Sequence, residues 1–180
     1  MRRRIVLRVF AGYAVVSVLA VLVFAIYTLE IGRRISRDAL TRGLESAART
    51  ARVSVAPMLD RGRSRGLDEL IAAMGKEGSV RLTVIDAKGV VLADSEQDPA
   101  LMENHSNRPE VTAAMGGKVG MSARFRGTIR RWMIYVAVPV PDTAGVRGIV
   151  RVSTPSEELE TITRRALGSL LFFALALLAA

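Results

Sequence analysis

The chain has 180 residues, one histidine, no cysteine and a formal net charge of +9. The absence of cysteine excludes disulfides and thiolate metal centres, and one histidine excludes a histidine-rich metal site within one chain. Residues 66–165 carry thirteen basic and thirteen acidic residues, so the excess charge lies nearer the amino terminus. We therefore expect no nucleic-acid partner and instead expect contact with anionic membrane lipid.

Residues 9–29, VFAGYAVVSVLAVLVFAIYTL, form a stretch without a charged residue. At ~1.5 Å per helical residue this stretch spans the ~30 Å hydrocarbon layer, so it predicts a first transmembrane helix. A cleaved signal peptide is the alternative, but the apolar region is longer than usual and lacks a clear cleavage site. Four arginines precede it and predict that residues 1–8 are a cytoplasmic tail, with residues 30–165 outside the cytoplasm.

Residues 166–180, ALGSLLFFALALLAA, form a second apolar segment. Fifteen residues give only ~22 Å of helix, which is short for a complete span. We expect a truncated second transmembrane helix that belongs to a longer protein. A buried core helix is the alternative, although Arg164 and Arg165 at its start favour a membrane boundary.

Residues 30–60 predict a juxtamembrane signalling helix that continues the first span. Apolar residues recur on one face at spacings of three and four, namely Leu40, Leu44, Ala47, Ala51 and Val55. This stripe has two interpretations: the helix packs on its own domain, or the stripe is the seam of a coiled-coil-like homodimer.

Residues 66–154 predict a folded domain of mixed helices and strands. Strand-like Arg81–Ile85 is followed by a turn at Asp86–Gly89 and a second strand-like run, which together indicate a hairpin. Short helices are expected at residues 67–78 and 108–117, and further strands at residues 119–125, 131–140 and 146–152. The pattern predicts an α+β fold with five strands.

The end of the domain resembles the start of another helix. In STPSEELETI, Thr154 has the residue type of an N-cap, Pro155 suits the first helical position and Glu157 completes a capping box. We expect an exit helix over residues 155–165 that connects the last strand to the second apolar segment.

The segment VIDAKGVVLADSEQDPALMENHSNRPEV, residues 84–111, resembles a known family. With Tyr135-Val-Ala137 further on, it is similar to the extracytoplasmic PAS-like, or single-Cache, sensor region of membrane-bound histidine kinases, especially the phosphate-regulon type. The resemblance implies an antiparallel sheet with flanking helices, in a bacterial inner-membrane protein with two transmembrane helices. It covers residues 80–154 well and the flanking helices only in kind.

The same resemblance implies a function for the whole protein. The sensor would form a homodimer and control autophosphorylation by a cytoplasmic kinase that uses ATP and Mg²⁺, followed by transfer to a response regulator. No kinase domain, catalytic site or cofactor is expected in these 180 residues. The alternatives are the sensor region of a chemoreceptor or cyclic-dinucleotide enzyme, and a membrane-anchored scaffold.

A set of candidate ligand-binding residues lies late in the domain: Arg124, Arg126, Tyr135, His105 and Arg108. Arginine recognises carboxylate or phosphate through two parallel hydrogen bonds, and an aromatic ring can line the same pocket. Solvated charges at a sheet edge are the simpler interpretation. We expect no metal site, because the acidic residues nearby suit turn and helix caps. The stimulus would be a small ligand or a neighbouring membrane protein.

Overall fold

The computed structural model describes residues 2–59, 65–126, 131–143, 145–156 and 168. Its first element is α1, Arg2–Leu59, a single helix that includes the predicted span and signalling helix. Within the described part of the chain, α1 is the one helix long and apolar enough to cross a membrane, with a mean hydropathy of 2.3 in its most apolar stretch. Apolar side chains there, such as Phe24 and Ile26, are exposed.

Residues Ala39–Ser156 form one compact unit, and the amino-terminal part of α1 belongs to another. The unit therefore includes about the last third of α1, residues 39–59, and starts well before residue 66. After α1 its elements are α2 Arg65–Gly78, β1 Arg81–Asp86, β2 Val91–Asp94, a 3-10 turn Pro99–Leu101, α3 Pro109–Met115, β3 Gly120–Arg126, β4 Arg131–Asp142 and β5 Gly145–Pro155.

The five strands form one antiparallel sheet in the order β2-β1-β5-β4-β3. The predicted hairpin is confirmed, because β1 pairs with β2 across the turn Asp86–Gly89. Gly89 has a φ of +87° there, which glycine adopts without steric cost. Asp86 stabilises the turn by accepting hydrogen bonds from the backbone N–H groups of Lys88 and Val90, both 2.8 Å long.

One face of the sheet is apolar and packs against α1 and α2. The side chains of alternate strand residues, such as Val84, Val136 and Val150, are fully buried there. Alternation puts every second residue of a strand on the same face, so this layer is the main core. α2 contributes Leu67 and Ile71, both fully buried.

The apolar stripe of α1 belongs to this core. Leu44, Ala51 and Val55 are buried against the sheet, Leu40 packs against the same cluster, and Ala47 is half-buried. Side chains buried within one copy cannot form a seam with a second copy. The structure thus places Leu44, Ala51 and Val55 in the core of the unit, in keeping with the interpretation as intradomain packing, while the homodimer stays a prediction.

The expectation that Thr154 caps an exit helix is wrong. β5 continues through Thr154 and Pro155, which lie opposite Ile134 and Met133 of β4, and Ser156 N–H donates a 2.8 Å hydrogen bond to the Trp132 carbonyl. The pairing with β4 satisfies backbone groups that the helix start would have left to a cap. Glu157 and the rest of the predicted exit helix lie outside the described residues, as does the segment 166–180 apart from residue 168.

The opposite face of the sheet is covered by α3 and the segment that precedes it. α3 begins at Pro109 after the extended residue Arg108, as the sequence predicts, because proline suits the first helical position. Asp98 caps the 3-10 turn by accepting a 2.9 Å hydrogen bond from the Ala100 N–H group. This second layer carries the polar residues of the candidate site.

Candidate functional site

The second face of the sheet divides into an apolar end and a polar end. The apolar end holds Ile85, Ile149 and Ala137 beneath α3. Two residues further along the same strands, the buried side chains become polar, as in Thr83 and Arg151, which lie directly opposite each other on β1 and β5. Buried ionic groups next to an apolar core require partners, so their contacts define the site.

A cavity of about 430 Å³ lies at the polar end, between the sheet and residues 97–108. Its lining residues are Arg81, Gln97, Leu101, Met102, Glu103, His105, Arg108, Arg124, Phe125, Tyr135 and Arg151. Four of these are arginines and one is a glutamate, so the wall of the cavity is predominantly cationic. A volume of this size accommodates a small organic molecule.

Arg81 and Asp94 form the wall on the β1–β2 side. The Nε atom of Arg81 lies 3.1 Å from each carboxylate oxygen of Asp94, and both side chains are buried. Asp94 also accepts hydrogen bonds from the Thr83 hydroxyl at 2.8 Å and from the backbone N–H groups of Glu96 and Gln97. Both oxygens of the Asp94 carboxylate therefore accept hydrogen bonds, and the carboxylate holds the Arg81 guanidinium in place. Arg81 Nη2 also donates to Gln97 Oε1 at 2.8 Å.

Glu110 connects α3 to two strands of the sheet. Its side chain is fully buried, and its Oε1 accepts a 2.6 Å hydrogen bond from Arg124 Nη2 of β3. Ser122 donates to Oε2 at 2.6 Å, and Arg151 Nη1 of β5 lies 3.6 Å from Oε1. One carboxylate therefore neutralises part of the charge of two guanidinium groups.

Tyr135 lies between the same two arginines. The guanidinium carbon of Arg124 lies 4.4 Å from the ring centroid and that of Arg151 lies 5.2 Å away, both within cation–π range. Burial lowers the pKa of Arg151 to about 10, with the Glu110 carboxylate opposing the shift, so Arg151 stays protonated at neutral pH. Its buried Nε has no hydrogen-bond partner among the residues that the structure describes.

His105 is buried at the edge of the cavity. Its Nδ1 lies 2.7 Å from the Glu103 carbonyl oxygen, which only accepts, so the ring donates a proton from Nδ1. Its backbone N–H donates to the Gly89 carbonyl at 2.8 Å. Burial, the Arg151 charge and, to a smaller extent, the Arg108 charge lower the pKa of His105, while the hydrogen bond to the Glu103 carbonyl opposes the shift. The ring is therefore neutral at pH 7.

The structure places four of the five predicted ligand-binding residues around one cavity. Arg124, Tyr135, His105 and Arg108 all line it. Arg126 ends β3, and its side chain lies outside the described part of the structure.

Sequence reasoning missed three central residues: Arg81, Arg151 and Glu110. The arginines occur in the alternating runs Arg81–Val84 and Val150–Ser153, which resemble strands with one face in solvent. Instead a second layer covers that face, and a polar residue at such a position is then buried. Glu110 directly follows Pro109 in the first turn of α3, where an acidic residue commonly lies exposed and interacts with the helix dipole. The sequence therefore gave no sign that its side chain is buried.

Two acidic residues near the cavity accept hydrogen bonds from backbone N–H groups: Asp94 from Glu96 and Asp98 from Ala100. Among the described residues, no group of three or more histidine or acidic side chains is arranged to hold a metal ion. The cavity instead offers donors: guanidinium N–H groups and a tyrosine ring. Such a set suits recognition of a carboxylate or another small anion.

Similar folds occur among solved sensor domains. The E. coli DcuS sensor domain matches 71% of this chain and 96% of its own length at 18% identity, with a TM-score of 0.55. The sensor domain of the V. cholerae histidine kinase DctB matches 76% of this chain and 55% of its own length at 16% identity, with a TM-score of 0.55. The sensory domain of the Campylobacter jejuni chemoreceptor Tlp3, with isoleucine bound, matches 74% and 58% at 13% identity, with a TM-score of 0.57.

This chain thus spans little more than half of the DctB and Tlp3 domains that it resembles. No known protein family matches the sequence, and no curated protein is significantly similar to it. At these identities the likeness concerns the fold. The predicted α+β fold of PAS-like or Cache-like sensor domains is therefore confirmed, with its antiparallel five-stranded sheet and flanking helices.

Proposed function

We propose that this chain is the ligand-sensing module of a membrane-bound bacterial signalling receptor. The observation that carries the proposal is the arginine-lined cavity on one face of a sheet whose fold is shared with the sensor domains of DcuS, DctB and Tlp3. The apolar part of α1 supports a membrane anchor, and the basic residues before it support placement of the sensor domain outside the cytoplasm.

The cavity favours a small organic anion as the ligand. Arg151 is buried, cationic and has an unpartnered Nε, and Arg124 is already held by Glu110 and Tyr135 in the cavity wall. A carboxylate that reached these groups would replace water with charge-assisted hydrogen bonds in a partly desolvated site. The isoleucine bound by Tlp3 also carries a carboxylate, which supports this class of ligand. The alternative stimulus is a neighbouring membrane protein.

β5 provides a direct route from the cavity to the end of the domain. Arg151 lies on β5, and the same strand continues to Pro155 before the chain leaves the unit at Ser156. A ligand that binds one arrangement of Arg151 more tightly than another shifts the population of β5 conformations. The shift would pass to the segment that follows and then to the proposed second transmembrane helix.

The output that we propose is a histidine kinase. It would use ATP and Mg²⁺ in a cytoplasmic domain, act as a homodimer and transfer phosphate to a response regulator. The structural similarity to DctB and the resemblance of the sequence of residues 84–111 to phosphate-regulon sensor kinases support this output. The structural similarity to Tlp3 supports a chemoreceptor instead. Sequencing the gene beyond codon 180 distinguishes the two outputs. A histidine-containing dimerisation helix followed by an ATP-binding domain would support the kinase. A methyl-accepting coiled coil would contradict the kinase and support the chemoreceptor.

The binding proposal is tested with the whole chain in nanodiscs. Isothermal titration with acetate, succinate, L-isoleucine and inorganic phosphate should show saturable binding of at least one carboxylate. Arg124→Gln should weaken that binding by about tenfold or more, because a hydrogen bond to a charged group contributes ~1.5–3 kcal/mol. Arg49→Gln is the matched control, since Arg49 is an exposed arginine paired with Glu45 on α1.

Two results would count against an anion-binding cavity. One is equal binding to the parent chain, the Arg124→Gln variant and the Arg49→Gln variant, which would place the interaction elsewhere. The other is the absence of saturable binding by all four probes. That result would favour a protein partner as the stimulus.

A further inference from the structure

The polar end of the cavity buries more positive than negative charge. Arg81 is 5% exposed, Arg151 is 4% exposed, and the side chain of Arg124 is 29% exposed. These three guanidinium groups meet two carboxylates, those of Asp94 and Glu110, whose side chains are completely buried. Because Arg151 stays protonated at neutral pH, one positive charge in this layer has no carboxylate of its own.

The uncompensated charge lies at Glu110 rather than at Asp94. Asp94 forms its ion pair with Arg81, whose Nε lies 3.1 Å from both carboxylate oxygens. Glu110 is shared, because its Oε1 lies 2.6 Å from Arg124 Nη2 and 3.6 Å from Arg151 Nη1. A buried charge without a counter-charge is costly. A single negative charge in the cavity would therefore complete this cluster, whereas a second one would find no buried cation left.

The other charged groups at the cavity are exposed. Arg108 and Glu103 lie 3.9 Å apart with side chains 38% and 88% exposed, and Glu96, 3.5 Å from Arg81, is 58% exposed. Exposed ion pairs contribute little, because water and salt screen them. His105 is neutral, since burial lowers its pKa. Among the described residues that line the cavity, Glu103 is the only acidic one, so an ammonium group would meet guanidinium groups and no buried carboxylate.

The mouth of the cavity is apolar. Leu101 of the 3-10 turn is 86% exposed and Phe125 of β3 is 53% exposed, and half-buried Met102 lines the cavity with them. The cavity volume of about 430 Å³ is much larger than a carboxylate group, so a ligand held by Arg124 and Arg151 has room for further atoms. Aliphatic atoms would gain most there, because they would remove exposed apolar surface from water.

We propose that the preferred ligand is a monocarboxylate with an aliphatic tail and no ammonium group. Its carboxylate accepts hydrogen bonds from Arg124 and Arg151, and its tail contacts Leu101 and Phe125. A dicarboxylate would bring a second negative charge without a buried partner, and an amino acid would place an ammonium group beside two arginines. This inference rests on the sensing function proposed above and narrows its ligand from small organic anions to one class.

Three ligands with the same four-carbon chain test the charge. Butyrate has one carboxylate, succinate has a second carboxylate in place of the methyl group, and 2-aminobutyrate adds an ammonium group. The ligands are titrated calorimetrically into the whole chain in nanodiscs, with empty nanodiscs as the blank. Butyrate should bind at least about tenfold more tightly than the other two, because each of them brings one charge that the cavity leaves unpaired or repels.

A series of chain lengths tests the tail. From acetate through propionate and butyrate to pentanoate, each methylene should tighten binding by about fourfold, because burial of one contributes ~0.8 kcal/mol. Leu101→Asn should reduce this gain per methylene. Val53→Asn is the matched control and should retain the full gain, since Val53 is a 72% exposed apolar residue of α1 that does not line the cavity.

Glu110→Gln tests the charge count from the side of the protein. The substitution keeps the shape of the side chain and removes one of the two buried carboxylates, so the ratio of succinate to butyrate affinity should rise by about tenfold or more. An unchanged ratio in the folded variant would show that the buried charges do not select the ligand. The comparison of the three ligands on the parent chain does not depend on whether this variant folds.

The outcomes separate this inference from the function on which it rests. If succinate or 2-aminobutyrate binds the parent chain as tightly as butyrate does, the proposed ligand class is wrong and an anion-binding cavity remains. Affinities that do not depend on chain length would overturn the contact of the tail with Leu101 and Phe125. The absence of saturable binding by every one of these ligands would overturn the ligand class together with the anion-sensing function.

Discussion

The Nη2 atom of Arg124 and the Oε1 atom of Glu110 lie 2.6 Å apart, with the carboxylate fully buried and the arginine side chain 29% exposed at the cavity wall. The pair joins β3 to α3. Because Arg124 lines the cavity, the Glu110 carboxylate already binds a guanidinium group that faces the cavity. An anion that enters the cavity would share Arg124 with Glu110. The ion pair therefore connects ligand chemistry to the position of α3.

Glu110→Gln should destabilise the unit in the absence of anions and make it more responsive to them. Removal of one partner from a buried ion pair costs about 3–5 kcal/mol, because the charges of Arg124 and Arg151 remain. Thermal unfolding of the chain in nanodiscs, with and without acetate, measures both effects. Glu69→Gln is the control, since Glu69 of α2 is exposed and does not line the cavity. A Glu110→Gln variant as stable as the parent would contradict this account of the cluster.

Asp94→Asn should reduce the free energy of unfolding by about 3–5 kcal/mol, because Arg81 would lose its buried counter-charge. The asparagine keeps the shape of the side chain but cannot accept all five contacts that the carboxylate makes. Urea unfolding, followed by Trp132 fluorescence, measures the change. Glu96→Gln removes an exposed partner 3.5 Å from the same arginine and should change stability by less than about 1 kcal/mol. Equal effects of the two substitutions would show that burial of Asp94 is unimportant.

The stability of the unit should fall as the pH drops below the usual pKa of histidine. The pKa of His105 is lowered from 6.5 by burial and by Arg151. The unfolded chain therefore takes up a proton at a pH where the folded chain does not, and protonation favours unfolding as the pH falls from 6.5 towards the folded-state pKa. Unfolding midpoints between about pH 7.5 and about pH 5.5 measure this loss. His105→Asn should flatten the curve in this window, because the chain has no other histidine.

Gly120→Ala should destabilise the unit, whereas Gly43→Ala should stabilise it. A Cβ atom at Gly120 would collide with the carbonyl group of Glu110, so α3 would have to move away from β3. A Cβ atom at Gly43 meets nothing within 4 Å on the exposed side of α1. Alanine in place of a helical glycine contributes roughly 0.5–1 kcal/mol. Thermal midpoints of the two variants should therefore move in opposite directions, and a tolerated Gly120→Ala substitution would contradict the close approach.

Cysteine labelling tests the packing of α1 on the sheet. Ala51 is fully buried, whereas Val53 is 72% exposed two residues further along the helix. A maleimide should react readily with Val53→Cys and slowly with Ala51→Cys in the folded chain, and at equal rates after denaturation. Rapid labelling of both would show that α1 does not pack on the sheet.

The fold was predictable where local signals agreed with tertiary structure. The turn at Asp86–Gly89 combined a side-chain acceptor with a glycine, and Pro109 marked the start of α3. The capping pattern at Thr154 failed because pairing with β4 satisfies the same backbone groups over a longer stretch. The cavity was only partly predictable. Arg124 and Tyr135 were candidates because arginine recognises anions and an aromatic ring can line the same pocket. Arg151 did not, because its burial depends on the layer formed by residues 97–115, which no strand pattern reveals.

The position of β5 in the sheet has a mechanical consequence. β5 lies in the middle, with six residue pairs to β1 and ten to β4, and the chain leaves the unit from its end. Antiparallel hydrogen bonds run across the strands, so a pull along β5 loads both ladders in shear and all bonds resist together. An edge strand under the same load could peel away one bond at a time. Tension at Ser156 would therefore displace the whole sheet before it unzips, and the unit can transmit force without losing its fold.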